Sequence, residues 1–478
     1  MKKWLIAIFA ALLLCSCSKS MQRFDQLNQA YMGNGFGAAI NEIQTHKEDL
    51  YGENDKFLYY YDMGVLFHYN HDFDNSIEAF NQAKQIYDES FTRSVTDEAA
   101  AMLTNDNARP YQPRPFEMLL LCEFQILNYL GKNDPDGALV EVKQAQIIAE
   151  QLYQKDNEKT NDNGLLRYLT ALVYEMQGDK DDAAIAYYET VKAYKESSTA
   201  LPKEVYGFVS DRLLAAERQS DFQSFGLAPA PTVLAKNTRD NGELVFVAYR
   251  GRAPILRNVV YAGGFGNDEF VFAVDDEAFK ELEEIRVPFP TSALDALLSP
   301  LGVTAAMIPA LFVAVPYPTG VTTVDAGNRN DIGIKTVEIE FDGLTYMPEL
   351  VYDANAELER NVADDRTVNM VRTVSQTLVK AAPLVLANKA ATEKAGALGG
   401  FAAKAAGDAA LRALAQSDTR IGSFNPRQIA MTRIPVQEGS YQFEIRGMDN
   451  SNNVVKSYRM SVPVKKGEKK VVLIPMVY

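Results

Sequence analysis

The chain has 478 residues, of which 47% are hydrophobic and 23% charged. That is the make-up of an ordinary globular protein and excludes a disordered, collagenous or polytopic membrane chain. Lys and Arg number 48 against 63 Asp and Glu, a net charge of −15, and no basic run is present to neutralise phosphates, so nucleic acid is not an expected partner. Three histidines and three cysteines leave no stock for a dedicated zinc site or a disulfide framework.

Residues 1–16 read as a lipoprotein signal peptide. Lys2 and Lys3 form a charged start, and the apolar run from Trp4 to Leu14 is too short to span a bilayer. The run ends in Leu14-Cys15-Ser16-Cys17, which resembles the bacterial lipobox and places cleavage before Cys17. The resemblance implies that the Cys17 sulfur takes a diacylglyceryl group and the new N-terminus an acyl chain such as palmitate. Three buried chains at about 0.8 kcal/mol per CH₂ anchor a protein firmly without a transmembrane helix. Ser18, Lys19 and Ser20 read as a polar tether after the anchor. Serine rather than aspartate after the cysteine resembles the sorting choice for the outer membrane of Gram-negative bacteria, and the expected location is lipid-anchored there, facing the periplasm.

Residues 17–226 read as paired helices. Gly64, Phe67, Ser76, Phe80 and Ala83 are separated by 3, 9, 4 and 3 residues, a spacing that resembles the tetratricopeptide repeat. Small residues let two antiparallel helices approach, and the aromatic ones fill the space towards the next pair. The spacing returns at Ala171, Tyr174, Ala183, Tyr187 and Thr190, and more loosely at Ile126, Tyr129, Ala138, Val142 and Ala145. Matching positions are 62 and 45 residues apart, so the array is degenerate. Phe24 to Leu50 supplies a further pair turning at Gly33-Asn34-Gly35-Phe36-Gly37, a glycine cluster that follows a helical pattern and so is no phosphate loop.

Three prolines between Arg109 and Phe116 bar a helix there and predict an ordered strap. Thr104-Asn105-Asp106-Asn107, Tyr111, Phe116-Glu117, Leu127-Asn128-Tyr129-Leu130 and Ala138-Leu139-Val140-Glu141 follow one another here. This progression resembles an uncharacterised bacterial family of tetratricopeptide-repeat-containing lipoproteins, found near lipoproteins similar to the curli secretion pore. The resemblance covers about Ser76 to Ile255. It implies helical repeats followed by a β-rich domain, and it implies no activity.

Ala228-Pro229-Ala230-Pro231 makes residues 227–241 a stiff linker, and limited proteolysis is expected to cut near Gly226 to Pro231 and yield a helical N-terminal and a β-rich C-terminal fragment. Residues 242–478 read as an antiparallel, sandwich-like β domain, giving an α+β multidomain chain overall. Gly242 to Tyr249 is one buried strand, and Gly242-Glu243-Leu244-Val245 with Gly251-Arg252-Ala253-Pro254 again resembles the lipoprotein family. Strands are expected at Glu269 to Val274, Ala310 to Val315 and Lys335 to Phe341, the last alternating cleanly. Tyr441, Phe443 and Ile445, then Tyr458, Met460 and Val462, alternate around a turn at Asp449 to Asn453, and Val471 to Val477 closes the domain. Prolines break Ser292 to Val321 into a short helix and a buried strand. An Ala-rich helical hairpin is inserted at about 364–418, flanked by Asp364-Asp365-Arg366 and Asp418-Thr419-Arg420 as cap and turn chemistry. Its charges fall too close together for a membrane span.

No Gly-x-Ser-x-Gly, His-Glu-x-x-His or Walker loop is present, and His68, His71, Asp72 and Asp74 read as helix-end chemistry rather than metal ligands. No catalytic residue, metal or cofactor is therefore expected. The function expected is a lipid-anchored envelope scaffold or adaptor that binds another envelope or secretion-system protein in the groove of its repeats. The groove residues expected to meet that partner are Tyr60, Tyr61, Glu123, Asn128, Arg167 and Glu175, polar or aromatic positions on the first helix of each pair. The alternative is an envelope enzyme or transport accessory with its site in the cleft between the two domains.

Overall fold

The computed structural model describes residues 19–94, 109–156, 163–196, 200–224, 226, 228, 242–266, 269–275, 285–288, 296, 298–303, 311–319, 334–364, 373–374, 386 and 417–477. The signal peptide, Cys17, the Thr104 to Asn107 motif, nearly all of the 227–241 linker and most of the 364–418 insert lie outside them. The order of elements is α+β, helices from Lys19 to Ser224 and mainly strands from Gly242 onward. The helices are α1 (Lys19–Thr45), α2 (Lys47–Leu50), α3 (Lys56–Tyr69), α4 (Phe73–Ser94), α5 (Pro115–Gly131), α6 (Pro135–Asp156), α7 (Gly164–Gln177), α8 (Lys180–Glu196), α9 (Lys203–Ala215) and α10 (Gln219–Ser224). Lys19 and Ser20, expected in the tether, already belong to α1. That helix breaks at Asn34 and at Gly35, whose φ of +75° is open to glycine.

One device closes the hairpins α3–α4, α5–α6 and α7–α8. The first helix ends on a left-handed residue, His71 (φ 58°), Asn133 (φ 59°) or Gly178 (φ 81°). The next residue is aspartate, and its N–H returns to the carbonyl of an aromatic residue: Asp72 to Phe67 (2.9 Å), Asp134 to Tyr129 (2.9 Å), Asp179 to Tyr174 (3.0 Å). Such a return bond satisfies a carbonyl at the helix end. The aspartate side chain then caps the following helix, accepting the N–H of Asn75 (3.4 Å), Gly137 (2.9 Å) and Asp182 (3.1 Å) respectively. In the first pair the two helices approach closely at Gly64. A Cβ on Gly64 would lie 2.7 Å from the Phe80 ring, and the Ser76 hydroxyl donates to the Gly64 carbonyl at 2.7 Å. Ala83, Ala138, Val142, Ala145, Ala171, Ala183, Tyr187 and Thr190 are all buried.

The strands are β1 (Gly242–Arg252), β2 (Ile255–Gly266), β3 (Glu269–Val274), β4 (Ile285–Pro288), β5 (Leu311–Thr319), β6 (Thr336–Phe341), β7 (Leu344–Tyr346), β8 (Glu349–Asp353), β9 (Pro426–Val436), β10 (Gly439–Met448), β11 (Val454–Val464) and β12 (Lys469–Met476), with α11 (Ala354–Asp364) after β8. They form an inner sheet β12-β1-β9-β8, an outer sheet β11-β10-β6-β7 and a third sheet β4-β3-β2-β5. The purely antiparallel expectation needs one correction. β1 pairs antiparallel with β9, Phe246 opposite Thr432, but parallel with β12, Phe246 opposite Val472. A parallel pair needs a long crossover, and here it is all the chain between the two strands.

β1 reads as a continuous apolar run because both of its faces are covered. Leu244, Phe246 and Ala248 pack against Val337, Ile339, Phe443, Ile445 and Val462 of the outer sheet. Val245, Val247 and Tyr249, with Met431 and Leu473, share one core with Tyr61, Leu121, Phe124 and Leu169 of the helices. The inner sheet is thus the middle layer, between the outer sheet and the helices. No described helix is long and apolar enough to cross a membrane.

Candidate functional site

The face of the helical hairpins that was expected to be a groove is covered by this chain's own inner sheet and by the irregular strap from Ser417 to Asn425. The helices hold the strap largely by its main chain. Glu117 Oε1 accepts the Gly422 N–H at 2.9 Å, and Asp62 Oδ1 accepts the Ser423 N–H at 2.7 Å. Arg114 donates to the carbonyls of Asp418 (3.0 Å) and Arg420 (2.7 Å), and the Tyr69 hydroxyl to that of Phe424 (3.2 Å). The Tyr61 hydroxyl donates to Asn425 Oδ1 at 2.7 Å, and its ring lies so close to Gly422 that a Cβ there would be 2.5 Å away. Arg420 pairs with Asp55 (2.9 Å) and Asp418 (2.6 Å), and Asp55 also holds Arg23 (2.8 Å).

The placement of Glu117 follows from local chemistry. Arg114 precedes α5, Pro115 opens it, and Glu117 at the third helical position turns back to take the Arg114 N–H at 3.1 Å. The Tyr111 hydroxyl donates to the same oxygen, which fastens the proline-rich strap before α5. Burial pushes the Glu117 and Asp62 carboxyls above the usual range, opposed by Arg114 and Arg23 respectively.

A second polar cluster joins α7, α8 and α9 to the inner sheet. Arg433 of β9 is fully buried and pairs with Glu243 of β1 (2.5 Å) and Glu175 of α7 (3.2 Å). Lys469 of β12 reaches both carboxylates, at 2.8 Å and 3.2 Å, and Arg212 meets Glu175 at 2.7 Å. The Tyr187 hydroxyl donates to Glu175, and Glu204 accepts the Arg433 N–H at 2.8 Å. Burial alone would raise the Glu175 pKa, but Arg433, Lys469 and Arg212 override it and hold that carboxylate well below its ordinary range. Glu243 is lowered in the same way, against burial, by Arg433 and Lys469.

Between the clusters runs a neutral chain. His68 donates from Nδ1 to Asn128 Oδ1 (2.7 Å) and accepts at Nε2 from the Tyr249 hydroxyl (2.7 Å), while Asn128 donates to the Ser76 hydroxyl (2.8 Å). Burial lowers the His68 pKa to about 3, so the imidazole is neutral in this arrangement. Cys122 is a buried free thiol pushed up to about 12 by burial. Among the described residues no group of three or more His, Cys, Asp and Glu side chains is placed to hold a metal ion.

Four of the six expected groove residues therefore need correcting. Tyr61, Glu123 and Asn128 have no exposure, because the inner sheet and strap lie on them. Glu175 is held in the Arg433 cluster. Tyr60 is half-buried with its ring 4.9 Å from that of Tyr59, and Arg167 is half-buried on α7. Arg433, Glu117, Asp62 and the strap were not foreseen as site residues. The one local signal was Asp418-Thr419-Arg420, where Arg420 N–H does donate to Asp418 Oδ1 at 3.0 Å. Comparison with family models, curated proteins and solved structures returned no match.

Proposed function

We propose that the protein is a lipid-anchored, non-enzymatic scaffold of the bacterial envelope. In this reading Cys17 holds it in the outer membrane, facing the periplasm, and its tetratricopeptide-like helical half binds another envelope or secretion-system protein from its outward side. The reading rests on one observation: the inner face of the hairpins is occupied by the chain's own strap and sheet, through the contacts of Glu117, Asp62, Arg114 and Tyr61. A partner is then left with the outward faces. One of these is a groove of about 490 Å³ on α4 and α6, whose lining includes Asn81, Lys84, Gln85, Gln144, Ile147 and Gln151. Its amides can pair with a main chain, and Ile147, 58% exposed, supplies apolar contact. Among the described residues, His68, Glu123 and Asn128 where the halves meet are wholly covered, which weighs against the alternative of a site in a cleft there.

The test uses the full chain in its native membrane with a photo-crosslinking residue at Gln144. One cross-linked envelope protein is expected, and Ile147→Glu should reduce its yield at least tenfold, as is expected of an apolar contact residue at the centre of an interface. Cys17→Ser should leave the outer-membrane fraction, whereas Cys15→Ser should change little. A Cys17→Ser protein that still fractionates with outer membrane would sink the anchor. An unchanged yield with Ile147→Glu, but loss with Leu344→Glu on the outer sheet, would sink the helical partner face.

A further inference from the structure

The chain carries a net charge of −15, yet three arginines meet where β1 ends and β9 begins, beside α1. In the β1–β9 ladder Arg250 lies opposite Gln428 and Arg252 opposite Pro426, which puts Arg427 between them. The Arg427 stem runs over Gly251, whose φ is +63°, and a Cβ on that glycine would stand only 3.3 Å from Arg427 Cβ. The Arg252 guanidinium sits 3.5 Å from the centre of the Phe24 ring and fastens this corner to α1. Phe24 is seven residues beyond Cys17, and α1 begins at Lys19. Two extended residues and five helical ones cover at most about 15 Å, so the corner lies next to the cysteine read as the lipid anchor.

Charge is unbalanced at this corner. The charged groups that face Arg250 are Asp353 of β8, which attracts it, and Arg427, which repels it. Burial and Arg427 together hold the guanidinium below its ordinary pKa in spite of Asp353. Both oxygens of Asp353 are engaged elsewhere, Oδ1 by the N–H groups of Asn355 (2.9 Å) and Ala356 (3.4 Å) and Oδ2 by the Gln428 amide (2.6 Å). Arg250 Nε is buried with no hydrogen-bond partner. Asp55, near the start of α1, is already shared by Arg23 and Arg420. Two half-buried guanidinium groups held side by side call for an anion, and their planar donor forks match the oxygens of a phosphate.

We propose that Arg250 and Arg427 bind the headgroup phosphate of an anionic phospholipid in the leaflet that holds the acyl chains of Cys17, with Arg252 positioning the pair against α1. The proposal rests on the lipid-anchor reading for its choice of a lipid over a soluble phosphate. Each arginine near an anionic surface is worth about fivefold in binding. That supplements an anchor and does not replace one, in keeping with the loss of Cys17→Ser from the outer-membrane fraction expected above.

The test titrates the full chain, in micelles of a neutral detergent, with dihexanoyl phosphatidylglycerol, dihexanoyl phosphatidylcholine and inorganic phosphate in turn, and follows the heat of binding. The parent should bind the anionic lipid at least fivefold more tightly than the zwitterionic one, and Arg250→Gln and Arg427→Gln should each lose about fivefold. Equal binding of the anionic lipid by parent and double variant would overturn the site. Inorganic phosphate bound as tightly as the lipid would overturn the assignment to a headgroup. Denaturant unfolding without lipid gives a second readout. Because Arg427 repels Arg250, Arg427→Gln should unfold no earlier than the parent, and a shift of tenfold or more towards the unfolded state would make the pair structural and overturn the proposal. Failure of the anchor reading is distinguishable, since it shows as a mature chain whose mass lacks acyl chains, whatever the heats of binding.

Discussion

Arg433→Ala is expected to remove about 3–5 kcal/mol of folding stability at neutral pH, because it leaves Glu243 and Glu175 as charges buried without their principal partner. Lys469 and Arg212 remain, and they set the lower end of that range. The loss should depend on pH with a definite sign. Glu175 and Glu243 have folded pKa values below their unfolded ones, so the stability they contribute is full above the ordinary glutamate range and is lost as pH falls through the folded values. The gap between parent and variant, measured by denaturant unfolding, should therefore narrow in acid. A gap that stays constant from pH 7 to pH 3 would mean that Arg433 acts by packing over Phe208, 4.7 Å from its guanidinium, rather than by charge.

Gly422→Val should be comparably damaging, for a steric reason. The first added carbon would lie 2.5 Å from the Tyr61 ring and 3.0 Å from Asn425 Nδ2, both in the buried interface. Overpacking of this kind costs about 1–3 kcal/mol. Lifting the strap also strips Glu117 and Asp62 of the Gly422 and Ser423 N–H donors, at about 1–3 kcal/mol for each buried group left unsatisfied. Together these give an expected loss of about 3–5 kcal/mol, since the strap can recover part of its contacts. Gly207→Ala is the control, because nothing lies within 4 Å of a Cβ there and alanine is the better helix former. It should unfold no earlier than the parent.

Periodicity made the hairpins legible, because their packing is local. Gly64 and Phe80 meet across one turn, and the left-handed residue and aspartate at His71-Asp72, Asn133-Asp134 and Gly178-Asp179 are local too. β3 keeps its expected bounds, and β6 buries Val337 and Ile339 on one face as alternation requires. β9 was hidden. Pro435 and Arg433 argue against a strand when read alone, and Arg433 is tolerated there only because Glu243 and Glu175 arrive from elements far away in sequence. The parallel partnership of β1 with β12 is equally non-local. The candidate site shows the same division. Tyr61, Glu123 and Asn128 lie on the first helices of their pairs and are fully buried. What covers them is set by residues 417–425 and by β1, β9 and β12, and no local pattern in the helices announces that occupant.

The helices and the inner sheet share one core, and the inner face of the hairpins is already filled. The most direct measurement is to place a single specific protease site between Gly226 and Gly242, cut it under native conditions, and pass the product over a sizing column. The shared core of Tyr61, Phe124, Tyr249 and Leu473, with the Arg433 and strap contacts, predicts that the two pieces elute together at the size of the uncut chain and unfold in one transition. Separation of a folded helical piece from a folded β-rich piece on dilution would contradict it.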